Sequence, residues 1–346
     1  MSVLRPVRAA GPVQRLATSF VATAGLALAS VAWSEFAFWG RWRPEDSAQN
    51  YVLAVVAYGL VVQLCRLAAH HWRVAASGSF AWRRVFLIGA LYGWLVEGVL
   101  VTTVVDSMPL TLSFTGLAWH ALFTVLVGWW WIPRVLSGSV KSSILPLVAL
   151  GAGVGTWAAF WRYEEGFAVP VVHYAIFVTA ATVAYAVGLL VWWTFRGVGA
   201  PGIRGSVVAG LGLLAFVVVH GISSPITLIG PALVALAVFA VMRTARPATP
   251  TDPGIITGTD PTAQPTSPEL LGSGGPAPVT ALWRLVVVPV VAIAVFALFG
   301  ASPWPIPTGW LFLAVTAPLG VVMFIAAWRR PTSGAWFARR RATESS

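Results

Sequence analysis

Glu97 and His120 are the residues of this chain whose types and placing suit acid–base chemistry away from bulk water. They fall in two apolar runs, about Phe86 to Val105 and about Leu112 to Ile132, joined by the polar stretch Asp106-Ser107-Met108-Pro109. The pattern predicts an antiparallel hairpin of membrane-spanning helices. Glu97 lies eight residues before the first run ends and His120 eight residues after the second begins. At the α-helical rise, both come roughly 12 Å below the same membrane face. An ionisable side chain at that depth is costly unless it faces protein or water. An acid and an imidazole set side by side there can exchange a proton, bind a cation, or serve as general base and acid.

The neighbouring residues suit such a pair. Gly89 and Gly93 form a small-xxx-small face, with Gly98 further on, that lets a second helix approach closely. Tyr92 and Trp94 supply a hydroxyl and an indole N–H as hydrogen-bonding groups. Glu35, His173 and His220 lie towards the same side of other apolar runs. The residues expected to bind a proton or substrate are therefore Glu97, His120, Tyr92, Glu35 and His173, with no catalytic role assigned. Glutamate and histidine are zinc ligands in type, but no HExxH or H-x3-H spacing occurs and each of these histidines is on a different run. Neither a metal nor a cofactor is expected. The single Cys65 permits no internal disulfide, and Gly151 to Gly155 has no preceding strand and no GK[ST], so it reads as a helix-packing stretch rather than a phosphate loop.

The elements that must position these residues follow from composition. With 58% hydrophobic and 10% charged residues over 346 positions and a mean hydropathy of +0.81, the chain is expected to be an all-α, polytopic integral membrane protein. Ten apolar runs recur, near residues 16–40, 51–69, 86–105, 112–132, 144–161, 167–195, 206–220, 226–242, 285–299 and 309–328, the seventh and ninth being the shortest. The net charge of +11 does not point to nucleic acid, because the basic residues flank the runs. With the N-terminus inside and ten spans, 19 of the 22 basic residues fall on the cytoplasmic side, and only Arg41, Arg43 and Arg162 fall outside. This asymmetry predicts a multi-pass protein of the cell membrane with both termini cytoplasmic. The first run is about 24 residues long and reads as an uncleaved anchor.

Between Pro247 and Ala281 eight prolines occur in 35 residues, a composition expected to form a disordered cytoplasmic linker. The expected organisation is an eight-helix bundle over 1–246, the linker over 247–281, a helix pair over 282–330 readable as an appended hairpin, and a basic tail over 331–346. Ala335-Trp336-Phe337 followed by Arg339, Arg340 and Arg341 suits anionic lipid headgroups at the cytoplasmic face. The clusters Trp129-Trp130-Trp131 and Trp192-Trp193 read as aromatic anchors at helix ends. No Walker, zincin or nucleophile-elbow pattern occurs. The leading functional expectation is a transporter-like protein with a carboxylate–imidazole site. The alternatives are an enzyme acting on a lipid or lipid-linked substrate from the outer leaflet, and a membrane scaffold without chemistry.

Overall fold

In a computed structural model of the protein the described residues are 12–72, 74, 81–106, 108–160, 169–195, 203–223, 228–232, 235–236, 279–301 and 308–329. They are helical, with no strand among them. In chain order, α1 runs over Pro12–Val31 and continues through a π turn at Ala32–Phe36 and a last turn at Ala37–Trp39. Helix α2 covers Ala48–His71, and α3 covers Ala81–Leu95 with a π turn at Val96–Leu100. Helix α4 is π-wound over Leu112–Trp131 and α-helical over Ile132–Ser137. Then follow α5 (Val140–Phe160), α6 (Val171–Phe195) and α7 (Ile203–Ser223). Last come α8, which opens as a 3₁₀ helix over Val279–Val286 and continues over Val287–Ala301, and α9 (Thr308–Arg329).

Among the described residues eight helical segments are long and apolar enough to cross a membrane: Leu16–Trp39, Ala48–His70, Leu112–Ser137, Val140–Phe160, Val171–Phe195, Gly205–Ile222, Val279–Ala301 and Gly309–Trp328. The seventh and ninth sequence runs, which looked short, are both among them. Helix α3 is not, because Arg83, Arg84 and Glu97 fall within its length. The eighth run, near 226–242, falls largely outside the described residues, as does the linker. Apolar side chains cover the outside of the bundle, for example Val52, Leu53 and Val56 on α2 and Leu311, Val315 and Val322 on α9. Soluble monomers rarely carry such extended apolar surface, whereas a helix facing lipid requires it.

Lipid gives helices no hydrophobic reason to associate, so close packing of small residues must hold the bundle. Four helix pairs meet this way. A Cβ at Gly25 would come 2.8 Å from the Trp192 nitrogen, joining α1 to α6, and a Cβ at Gly89 would come 2.7 Å from Ala121 Cα, joining α3 to α4. Gly151 and Gly155 of α5 face Val288 and Ala292 of α8, and Gly320 of α9 faces Ala118 of α4. The glycine-rich stretch at 151–155 is thus a packing face, and α8 and α9 are built into the bundle rather than resting beside it.

Three local features differ from the sequence reading. Helix α2 runs through His70 and His71, beyond the end of the apolar run near 51–69. Trp129, Trp192 and Trp193 are buried in the bundle instead of anchoring its rim; Trp129 donates its indole N–H to Ser30 Oγ at 3.1 Å, a partner no lipid tail could offer. The first limb of the hairpin stops at Leu100, five residues before the apolar run ends, because Thr102 takes a left-handed φ of 57°. That conformation is strained for a β-branched residue. Hydroxyl bonds on either side of it hold the turn: Thr103 donates to Glu97, and Thr111 donates to the Val104 carbonyl at 2.8 Å.

Candidate functional site

The π turns are where the polar side chains gather. The i→i+5 bond from the Ala37 N–H to the Ala32 carbonyl encloses Ser34 and Glu35, and that from the Val101 N–H to the Val96 carbonyl encloses Glu97. The π-wound length of α4 carries His120 and Thr124. Such windings are uncommon and concentrate at functional sites. Other helices hold the α1 turn from outside it: the Trp119 indole donates to the Trp33 carbonyl at 3.2 Å and the Trp157 indole to the Phe38 carbonyl at 2.6 Å.

Glu97 and His120 are brought together as their placing in the hairpin suggested. His120 Nε2 lies 2.8 Å from Glu97 Oε1, and both residues are buried, at 3% and 7% exposure. Gly93 makes this possible, since a Cβ there would sit 2.9 Å from that of His120. The other carboxylate oxygen of Glu97 accepts from the Thr103 hydroxyl. On the far side of the imidazole, Nδ1 lies 3.2 Å from Ser34 Oγ. Ser34 Oγ in turn lies 2.9 Å from the Tyr92 hydroxyl and 3.2 Å from Thr124 Oγ1. Tyr92 therefore belongs to the cluster through Ser34 rather than by touching the carboxylate, and its ring stacks edge-on to His120 at 5.6 Å.

This set of groups has two complete hydrogen-bonding arrangements. In one, Tyr92 and Thr124 donate to Ser34, Ser34 donates to Nδ1, and the Nε2–H donates to an ionised Glu97. Adding one proton gives the second, in which Nδ1–H donates to Ser34, the serine proton turns to Tyr92, the Tyr92 proton turns to the neighbouring Ser30 hydroxyl, and one proton lies between Nε2 and Glu97. Each hydroxyl and ring nitrogen stays satisfied in both. The site can thus gain or lose a proton without leaving a buried polar group orphaned, an omission that would cost about 1–3 kcal/mol.

Glu35 follows Ser34 in the chain but faces a second cluster. It accepts from the Tyr58 hydroxyl, from the Trp39 indole at 3.3 Å and lies 3.7 Å from the Arg43 guanidinium. Arg43 also pairs with Asp46 at 3.0 Å and with Glu45 at 3.6 Å, so the loop after α1 is a salt-bridged turn. Burial alone raises the Asp46 carboxyl. The Arg43 backbone N–H at 2.9 Å and its guanidinium outweigh that effect and hold the carboxyl below its ordinary range. The Tyr58 ring lies 6.1 Å from that of Tyr92, so the two clusters adjoin.

Searches of protein-family models, curated proteins and solved structures find no match to this chain. The reading of the site rests on its own geometry.

His173 is exposed near the start of α6 and takes no part in either cluster. His220 sits half-buried near the end of α7, edge-on to Phe216. Trp94 gives its indole N–H to the Leu112 carbonyl at 3.4 Å and packs on Phe324, so it belongs to the core. Glu164 and Glu165 lie outside the described residues. Among the described residues no three His, Cys, Asp or Glu side chains converge as metal ligands would. Ser34, Tyr58, Thr103 and Thr124 are members that sequence reasoning missed.

Proposed function

We propose that the chain is a transport-type membrane protein that exchanges protons, with Glu97 as the group that takes up and releases the proton and His120 as its partner. The observation that carries the reading is the Glu97–His120–Ser34–Tyr92 chain, whose hydrogen bonds are complete with or without an added proton. Intramembrane carboxylates paired in this way serve proton relays in pumps and transporters. Ten spans with both termini cytoplasmic, a cell-membrane location and anionic lipid at the cytoplasmic face complete the reading. The distribution of basic residues supports it.

The test is to reconstitute the protein in lipid and compare infrared difference spectra at acid and alkaline pH. The wild type is expected to show a deuteration-sensitive carboxylic acid band that vanishes in Glu97→Gln. Glu97→Gln is also expected to abolish proton movement into proteoliposomes under an imposed potential. Glutamine keeps the shape and hydrogen-bonding capacity of the side chain, so the thermal midpoint should move by no more than about 4 °C, the effect of about 1 kcal/mol on a large chain. Identical spectra and flux in the two proteins would sink both this reading and any reading of Glu97 as a general base, leaving a scaffold.

A further inference from the structure

At the opposite end of α1 from Glu35, Arg66 of α2 is only 5% exposed, yet no carboxylate among the described residues touches it. Its hydrogen bonds all leave through Nη1 and go to neutral acceptors: the Ser19 carbonyl at 3.1 Å, Ser19 Oγ at 3.4 Å, Thr23 Oγ1 at 2.5 Å and Gln63 Oε1 at 3.5 Å. The guanidinium carbon lies 5.0 Å over the ring of Trp192. Trp192 is itself buried, and its indole N–H has no partner among the described residues. A buried charge without a counter-ion is costly, and a buried donor left unmade adds to that cost.

The surroundings supply donors and positive potential but no anion. Gly205, in the first turn of α7, lies so close to Gln63 that a Cβ there would come 2.9 Å from Nε2, which brings the positive end of that helix dipole to the cluster. The acidic residues among those described are Glu35, Glu45, Asp46, Glu97 and Asp106, and all belong to the other end of the bundle. We infer that Arg66 and Trp192 form a binding site for a phosphate-bearing anion, held by the free Nε–Nη2 edge of the guanidinium and the Trp192 N–H. A guanidinium edge matches two phosphate oxygens, and anionic headgroups bind in basic pockets between membrane helices.

The test uses the full-length protein in neutral detergent with three probes: dioleoylphosphatidylglycerol, dioleoylphosphatidylcholine and inorganic phosphate. Bound lipid is counted by native mass spectrometry, and stability is followed by the thermal midpoint. Phosphatidylglycerol is expected to bind and stabilise the wild type while phosphatidylcholine does not, and Arg66→Gln to weaken that binding by about ten-fold or more. Trp192→Phe keeps the ring beneath the guanidinium and loses only the N–H, so it guards against a misfolded Arg66 variant and should weaken binding about three- to ten-fold. Stabilisation by inorganic phosphate that depends on the same two residues supports the site and assigns it to a soluble anion; dependence seen with lipid alone assigns it to a headgroup. Lipid binding and phosphate stabilisation that are both equal in all three proteins overturn the inference, as does a wild type that responds to neither anion.

Discussion

Ser34 has one proton to donate and two lone pairs to offer, and its partners Tyr92, Thr124 and His120 take up all three. Ser34→Ala therefore orphans more than one buried group. It is expected to cost about 1–3 kcal/mol in unfolding free energy and to slow proton exchange at Glu97, read from the same infrared band. Tyr92→Phe removes a single bond and should cost less. Glu97 and His120 were legible because charge stands out in an apolar run. Ser34 and Thr124 were not, because hydroxyls in membrane helices commonly bond to the carbonyl four residues back. Thr18, Ser30, Thr115, Thr182 and Thr194 all do so here. Nothing in the sequence separates those hydroxyls from the two that bond across helices.

Between α3 and α4 the distance is set by residues that lack side chains. A Cβ at Gly93 would clash with the Gly116 carbonyl oxygen and come 2.9 Å from the His120 Cβ. Gly93→Ala is expected to push the helices apart, cost about 1–3 kcal/mol and lengthen the Glu97–His120 bond. The control is Gly153→Ala on α5, where a Cβ would meet nothing within 4 Å; it should stay within about 0.5 kcal/mol of the parent. A Gly93→Ala protein as stable as the Gly153→Ala protein would refute the packing argument. The small-xxx-small spacing made this interface readable in advance. The end of α3 was not readable, since residues 99–105 contain neither glycine nor proline and apolarity alone marks no boundary. The stop is set by the left-handed Thr102 and the hydroxyl bonds of Thr103 and Thr111 around it, which an apolarity pattern does not display.

At the level of the whole chain, composition was enough to give a helical membrane bundle, and the fold agrees, with eight segments among the described residues able to cross a bilayer. The position of α8 and α9 was hidden, because a long proline-rich stretch separates them in sequence from the helices they pack on. The ten-span topology makes its own prediction. Reporter fusions after Ser107 and Glu165 should report the outer side, and fusions after Gly138, Gly258 and Ser346 the cytoplasm. A Gly258 fusion on the outer side would break the count of ten.

Ser34 and Glu35 are consecutive, yet one is tied to the buried pair and the other to the loop beyond α1 through Arg43. A twist of this turn about the helix axis that frees one side chain drags the other with it. The rim and the interior therefore share a single torsional coordinate, and Arg43 acts as a latch on groups it never touches. Arg43→Gln is accordingly expected to speed proton exchange at Glu97, measured as faster decay of its infrared band after a pH jump. An unchanged rate would mean that the first helix is too stiff in torsion to carry the signal inward.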